Sequence, residues 1–126
     1  MIVHVDTSAL VDSLTGARRS LDVLISLTGE GHRLMLSTIV LYEWLRGPRT
    51  RAELAAQEEL FPSDAAAAFG AAEAALASRL YKQMTRARGR EIDLAVAACA
   101  LANNAAIWTL NPADLRDIPD LRLVPR

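Results

Sequence analysis

The chain has 126 residues, of which 52% are hydrophobic and 23% are charged, and its mean hydropathy is +0.16. This length and composition predict a single globular domain over residues 1–126 and exclude a two-domain enzyme, a disordered chain and a short disulfide scaffold. Lys and Arg number 14 against 15 Asp and Glu, for a net charge of -1. Attraction to a nucleic acid must therefore come from local clusters of cations.

Cysteine usage and the N-terminus favour a cytoplasmic protein. Cys99 is the only cysteine, which excludes an intramolecular disulfide and a multi-thiolate zinc or iron–sulfur site and suits a reducing cytosol. Residues 1–6 lack the basic lead and long apolar stretch of a signal peptide. The alanine-rich region around residues 65–77 is too weakly hydrophobic to span a bilayer, so we expect no membrane partner.

Strand and helix patterns alternate along the chain. Apolar and β-branched runs predict strands at residues 2–5, 34–36, 60–62, 106–109 and 121–124. Apolar spacing and capping residues predict helices from about residue 7, then over 18–27, 38–46, 50–60, 63–88 and 91–102. The last helix is apolar on nearly all sides and should be buried. This alternation predicts an α/β fold, a three-layer α/β/α sandwich with a mainly parallel sheet of four to five strands.

Four acidic residues fall near the carboxyl ends of these strands, where an open parallel sheet binds its ligands. Asp6 follows the first strand, Glu43 lies in the helix after the second, Asp93 is in the first turn of the buried helix, and Asp114 lies beyond residues 106–109. Each has an ordinary alternative role, as a helix cap, a dipole partner or a solvated residue. If they converge, carboxylate oxygens point to Mg²⁺ or Mn²⁺.

The segments that contain these acids resemble, in order, the four motifs of PIN-domain nucleases. The segments read VDTSAL (5–10), LSTIVLYEWLRG (36–47), REIDLAVAA (90–98) and WTLNPADL (108–115). In its small single-domain form the chain looks like a VapC toxin of a type II toxin–antitoxin pair. The resemblance implies a PIN fold and a Mg²⁺-dependent endoribonuclease that a cognate VapB-like antitoxin holds inactive.

Carried over by position, the resemblance implies that Asp6 and Asp93 are catalytic metal ligands and that Glu43 is the third acid. The last motif offers Asn111 and Asp114, and the neutral Asn111 leaves Asp114 as the fourth acid. Where the family usually has an aromatic residue the chain has Leu115, a change expected to affect packing only.

Phosphodiester hydrolysis needs an activated water, a neutralised phosphate and a stabilised leaving oxygen, which one or two Mg²⁺ ions can supply. The first two acids would bind an ion directly, and the other two would bind a second ion or position its waters. Supporting residues would orient these ligands or a phosphate oxygen, unless they bond to the backbone instead. The candidates are Thr7, Ser8, Thr109 and Asn111.

Basic residues cluster beside two of the motifs. One cluster holds Arg46, Arg49 and Arg51, and the other holds Lys82, Arg86, Arg88 and Arg90. A run of charges is ordinarily a solvated helix face, but a group of cations beside the acids is also suited to RNA phosphates. The predicted RNA contacts are Arg46, Arg86, Arg88 and Arg90.

Apolar helix residues exceed what one small sheet needs, which predicts a homodimer face or an antitoxin groove. They are Leu21, Leu24, Ile25, Val40, Leu41 and Trp44. Cys99 is expected to be an inert core thiol. Without cysteine partners, His4 and His32 are expected in the core or on the surface rather than on zinc.

Three other functions remain open. A PIN-like domain without activity could bind RNA or a protein as a scaffold, although the acids at positions 6, 43 and 93 are all present. A PIN nuclease could instead cleave structured DNA. A receiver-type phosphoacceptor also gathers aspartates around Mg²⁺, but it needs a lysine near the end of its last strand, and the only lysine here is Lys82, in a predicted helix.

Overall fold

The protein, described by a computed structural model over residues 1–125, is a parallel sheet flanked by helices. The strands are β1 (Ile2–Val5), β2 (Arg33–Met35) and β3 (Ala106–Trp108). The helices are α1 (Thr7–Leu14), α2 (Leu21–Gly29), α3 (Thr38–Arg46), α4 (Arg51–Leu60), α5 (Ala71–Gln83) and α6 (Glu91–Ala102). Short 3₁₀ turns lie at Ser63–Ala65 and Pro112–Asp114. This architecture confirms the predicted α/β fold class.

The sheet has the order β2-β1-β3, with both pairs parallel. Val5 of β1 lies opposite Trp108 of β3, and the Asp6 amide donates a 2.9 Å hydrogen bond to the Trp108 carbonyl. Because the strands are parallel and in this register, the residues that follow β1 and β3 leave the sheet at one edge. The register alone therefore brings Asp6 beside Thr109.

Helix α6 is the buried helix that the sequence predicts. Every residue from Leu94 to Ala100 is buried, and the helix packs against α5 and β3. Its alanines let these neighbours approach closely, and α1 packs on α2 and α3 through larger apolar side chains. Because α6 starts at Glu91, Asp93 lies in its first turn, directly before the buried segment that begins at Leu94.

The sheet has fewer strands than the predicted four to five. Within residues 1–125 three strands form, and the strand predicted at 121–124 is reduced to one parallel bridge between Leu123 and Ile107. Ile107 donates to the Arg122 carbonyl and accepts from the Val124 amide, both at 2.9 Å. The chain just before this point is still in a turn, in which the Leu121 amide bonds the Ile118 carbonyl at 3.4 Å, so among the described residues only 122–124 reach β3.

Residues 60–88 also differ from the prediction. No strand forms at 60–62, because α4 continues to Leu60 and the Phe61 amide closes it on the Gln57 carbonyl at 2.7 Å. The predicted helix over 63–88 is replaced by a 3₁₀ turn, an extended stretch and α5. Ala67 bonds the main chain of Leu36 and Thr38, and this bridge to the edge of the sheet removes the stretch from the helix.

Helix α2 starts at Leu21 rather than at residue 18, because Arg18 adopts a positive φ of 52° that a helix cannot continue. The helices within residues 1–125 are all too short or too polar to cross a lipid bilayer.

Candidate active site

The carboxylate of Asp6 is held by hydroxyl groups rather than used as a helix cap. Asp6 occupies the N-cap position of α1, yet its side chain makes no capping hydrogen bond. Thr109 Oγ1 donates to Asp6 Oδ2 at 2.7 Å, and Ser8 Oγ lies 3.4 Å from the same oxygen. The two hydroxyls are themselves 3.2 Å apart. The residues that follow β1 and β3 therefore fix one carboxylate orientation.

Main-chain amides hold these hydroxyls in turn. Leu110 donates its N–H to Ser8 Oγ and Asn111 donates its N–H to Thr109 Oγ1, both at 3.1 Å. With an amide on each oxygen, the Thr109 hydroxyl donates its proton to Asp6, and the Ser8 proton lies within reach of both Asp6 and Thr109. Both roles anticipated for these hydroxyls are thus present, orientation of the acid and bonding to the backbone. The Asn111 side chain is exposed next to them.

The second carboxylate, Glu43, projects from α3 and is fixed from α1. Thr7 Oγ1 donates a 2.6 Å hydrogen bond to Glu43 Oε1, across 36 residues of sequence. Arg46, one turn further along α3, lies 3.7 Å from Glu43 Oε2 and above the Tyr42 ring. The Glu43 side chain is 19% exposed, whereas that of Arg46 is 58% exposed. The carboxylate is thus held in place while its cation remains open to solvent.

The charges of the other three acids meet at Asp93, which is half-buried. Burial raises the pKa of Asp93, and the negative charges of Asp6, Asp114 and Glu43 raise it further, while Arg90 opposes them. Like charges held this close cost free energy unless a cation joins them. Asp93 therefore lies within electrostatic range of the other three predicted acids.

Asp114 is the most exposed of the four and lies at the end of the 3₁₀ turn after β3. The following Leu115, 3% exposed, anchors the turn in the core. Leu115 therefore has the packing role expected where the family usually has an aromatic residue.

Sequence reasoning missed Asp117, which pairs with Arg90. The two guanidinium nitrogens Nη1 and Nη2 of Arg90 each lie 2.8 Å from one oxygen of the Asp117 carboxylate. The contact with Asp117 raises the pKa of Arg90, and the contact with Arg90 lowers the pKa of Asp117. Asp117 lies outside the motif segments, and no signal in the sequence marked it as a partner of a residue 27 positions away.

The donor chemistry suits a hard divalent cation that keeps part of its water shell. In the part of the chain that the structure describes, no three His, Cys, Asp or Glu side chains are close enough together to enclose an ion by themselves. Mg²⁺ commonly binds one or two carboxylates, several waters and substrate phosphates rather than a closed protein cage. Carboxylate oxygens around Asp93, whose own pKa is raised, fit this mode of binding.

The predicted basic residues differ in how far they are occupied by protein contacts. Arg86 and Arg88 are exposed on the loop before α6. In the other cluster, Arg49 stacks on the buried Trp44, with its guanidinium 4.3 Å from the ring centroid, and donates to the Trp44 carbonyl at 3.0 Å. Arg49 is therefore part of the packing of α3, although it belongs to the same run of charges as Arg46.

Two residues outside the acidic site, His4 and Cys99, have expected core positions, and Trp44, which was predicted on a partner surface, is buried instead. His4 is 1% exposed on β1, neither ring nitrogen has a hydrogen-bond partner within residues 1–125, and burial lowers its pKa to about 4. Cys99 is buried in α6, and burial raises its pKa to about 11, as expected for an inert thiol. Trp44 is 0% exposed.

The sequence model of the PIN domain matches residues 3–121. The chain belongs to the PIN domain family. PIN domains are generally nucleases, which agrees with an acidic site at the carboxyl ends of the strands. No curated protein sequence matches the chain at a significant level.

Solved structures share the fold over nearly the whole chain. VapBC2 of Rickettsia felis bound to a promoter DNA fragment has a TM-score of 0.78 and 22% identity, covering 98% of both chains. DNA-bound VapBC of Salmonella typhimurium has a TM-score of 0.79 and 18% identity over 98% of this chain and 97% of that one. VapBC-5 of Mycobacterium tuberculosis, from the VapBC family of toxin–antitoxin systems, has a TM-score of 0.64 and 19% identity, with coverage of 98% and 97%.

Proposed function

We propose that this PIN domain is a Mg²⁺-dependent endoribonuclease of the VapC type, active also with Mn²⁺, and that a VapB-like antitoxin inhibits it. The observation that carries the proposal is the half-buried carboxylate of Asp93, whose pKa is raised first by burial and then by the charges of Asp6, Asp114 and Glu43. Such repulsion is costly in the free protein and favours binding of a divalent cation.

In this proposal Asp6 and Asp93 hold the cation, while Glu43 and Asp114 hold a second cation or position its waters. Bound Mg²⁺ supplies an activated water at neutral pH and neutralises charge on the phosphate and the leaving oxygen. The protein holds its carboxylate oxygens in fixed positions. Thr109 fixes Asp6 at 2.7 Å and Thr7 fixes Glu43 at 2.6 Å, so neither carboxylate must reorganise when substrate arrives.

RNA would approach over exposed cations that border the acids. Arg46 offsets the charge of Glu43 and still presents most of its side chain to solvent, and Arg86 and Arg88 extend the positive surface from the loop before α6. Contacts of this kind position a phosphate backbone without reading its sequence. Arg90 belongs to the same predicted set, but its guanidinium is occupied by Asp117.

An antitoxin partner is supported by the solved structures that share the fold, which are VapBC assemblies.

Of the apolar residues predicted to form a partner surface, Leu24, Val40 and Trp44 lie in the core instead, because they pack between the helices and the sheet. Ile25 is 58% exposed, and Tyr42 and Leu45 of α3 are also exposed. This apolar face on α3, next to Arg46, is the proposed antitoxin surface or homodimer face. A cytoplasmic location follows from this function.

The test is cleavage of a mixed cellular RNA pool by the purified protein with Mg²⁺, with Mn²⁺ and with EDTA. The variant Asp93→Asn removes one acid of the site. Its matched control is Asp22→Asn, because Asp22 also lies in the first turn of a helix but is exposed on α2. A structured DNA of equal length serves as the competing substrate.

We expect metal-dependent cleavage of RNA by the wild type and by Asp22→Asn. Cleavage should fall roughly 100-fold or more in Asp93→Asn, because losing a metal ligand removes several kcal/mol of transition-state stabilisation. Cleavage of DNA alone would replace the ribonuclease proposal with a deoxyribonuclease. A folded wild type that cleaves neither substrate with either metal would favour a scaffold without activity.

A further inference from the structure

The Arg90 side chain joins three parts of the chain beside the acidic site. Nη1 donates to the Arg86 carbonyl at 3.2 Å and to Asp117 Oδ2 at 2.8 Å. Nη2 donates to the Asp114 carbonyl at 2.5 Å and to Asp117 Oδ1 at 2.8 Å. Each terminal nitrogen carries two N–H groups, so these four bonds use all the terminal donors.

Although the Asp117 side chain is 57% exposed, this arrangement differs from a simple surface pair, which contributes little to stability. The contact with Asp117 is bidentate, and the Arg90 side chain is only 20% exposed. With its four terminal N–H groups satisfied by the protein, Arg90 has only Nε–H left for a phosphate, and a forked contact needs a bond in this set to break. A forked contact between Arg90 and an RNA phosphate would therefore require the arrangement to open.

The segment that Arg90 holds is the one that carries Asp114. Asp114 is exposed at the end of a three-residue 3₁₀ turn, which is too short to be rigid by itself. Leu115 anchors the turn from the core side, and Arg90 bonds the carbonyl of Asp114 itself. Arg90 is also the N-cap residue of α6, three positions before Asp93, so it is fixed to the helix that carries the other acid.

We propose that Arg90 is a positioning residue that clamps the 111–118 segment to the start of α6 through Asp117 and the Asp114 carbonyl, and thereby sets Asp114 against Asp93. This inference rests on the proposed nuclease function. The charges of Asp93 and Asp114 both act on Arg90, as expected if the clamp lies between them. The contribution of Arg90 to catalysis is then geometric and does not involve contact with the substrate.

The two roles predict opposite effects of Asp117→Ala. If Arg90 is a clamp, removing Asp117 frees the segment and reproduces the defect of Arg90→Ala. If Arg90 contacts RNA, removing Asp117 releases a guanidinium for phosphate, and RNA binding tightens. Arg90→Lys separates the two further, because a lysine keeps the charge but cannot bridge a carboxylate and a carbonyl with a rigid fork.

The experiment combines amide hydrogen exchange over residues 111–118 with kcat and KM for RNA cleavage in Arg90→Ala, Arg90→Lys and Asp117→Ala. The control is Arg122→Ala, since Arg122 also donates to a main-chain carbonyl, that of Asn104, but lies near the start of β3. Thermal unfolding establishes that each variant is folded. If Arg90→Ala does not fold, the other two variants still decide the outcome.

We expect faster exchange over 111–118 in all three variants, with kcat reduced about 10- to 100-fold by misplacement of Asp114. KM should change by less than about twofold, the pattern of an interaction that acts only in the transition state. Unchanged exchange and kcat in Arg90→Ala, or a higher KM there with tighter RNA binding in Asp117→Ala, would overturn the proposal. If the wild type cleaves no RNA, the proposed function fails, and the exchange data alone decide whether the clamp exists.

Discussion

Thr109 donates a 2.7 Å hydrogen bond to the carboxylate of Asp6, linking the ends of β3 and β1 across 103 residues of sequence. Thr109 is 3% exposed, and its oxygen also accepts the Asn111 amide. One hydroxyl thus joins the edge of the sheet, the first acid and the segment that leads to Asp114. We regard this bond as the main structural support of Asp6.

The variant Thr109→Val keeps the shape of the side chain and removes the hydroxyl. We expect the free energy of unfolding to fall by about 2 kcal/mol, the usual loss for a hydrogen bond to a charged group. Metal-dependent cleavage should fall roughly 10- to 100-fold, because Asp6 loses its orientation. Urea unfolding and cleavage rates measure the two effects, and Thr109→Ser should restore most of both. Full activity in Thr109→Val would show that Asp6 needs no such support.

Asp93→Asn should make the metal-free protein more stable while it removes activity. The pKa of Asp93 is raised in the folded state, so the folded protein binds this proton more tightly than the unfolded chain does. The free energy of unfolding therefore decreases as the pH rises from the ordinary Asp range through the raised pKa. At neutral pH the ionised Asp93 is destabilising, and the neutral asparagine relieves both desolvation and repulsion.

Thermal unfolding in EDTA at pH 7 tests this expectation, with Asp22→Asn as the control. We expect a higher midpoint for Asp93→Asn than for the wild type, and a smaller difference when the pH is lowered toward the range where Asp93 is protonated. Added Mg²⁺ should stabilise the wild type more than the variant, because a ligand stabilises only the state that binds it. A lower midpoint for Asp93→Asn in EDTA would mean that the acids do not repel one another.

His4 should make the protein sensitive to mild acid. Its folded-state pKa of about 4 lies below the ordinary value of 6.5, so the unfolded chain binds this proton more tightly than the folded protein does. The free energy of unfolding that depends on neutral His4 is therefore fully present above pH 6.5 and is lost as the pH falls toward 4. The difference corresponds to about 3 kcal/mol at one pKa unit per 1.36 kcal/mol. His4→Leu should flatten this part of the pH dependence, as measured by urea unfolding between pH 7.5 and 4.5. An equal slope in both proteins would assign the effect to other groups.

The packing of Arg49 on Trp44 explains Gly47. A Cβ at position 47 would lie 2.7 Å from Arg49 Nη2, although the backbone there, at φ -80°, suits any residue. Gly47→Ala should therefore displace the guanidinium from the ring and cost about 1 kcal/mol of stability. In an Arg49→Ala background the same change should cost little, and an equal loss in both backgrounds would contradict the explanation.

The sequence predicts those parts of the site that local pattern controls. Asp6 and Asp93 could be placed because a strand end and the first turn of a helix have clear signatures, and α3 and α6 have the predicted bounds. The Thr109 contact with Asp6 depends on the parallel register of β1 and β3, for which local pattern gives no information. The pairing of Arg90 with Asp117 depends on where a 3₁₀ turn lies against α6.

The errors in the fold have a similar cause. Helical propensity is high from residue 63 onward, since alanine favours helices, but Ala67 instead bonds the edge of the sheet next to Leu36. A long-range main-chain bridge thus overrides the local helical propensity that many alanines contribute together. The predicted fourth strand likewise contracts to Leu123, because the turn that ends at Leu121 leaves only residues 122–124 to bond β3 among those described.

The most direct test of the central claim, that the four acids form one divalent-metal site, is a calorimetric titration of Mn²⁺ into the metal-free wild type, Asp93→Asn and Asp22→Asn. We predict saturable binding to the wild type, unchanged binding to Asp22→Asn, and affinity lowered at least about tenfold in Asp93→Asn. Equal binding to all three proteins, or no binding to the folded wild type, would contradict the account.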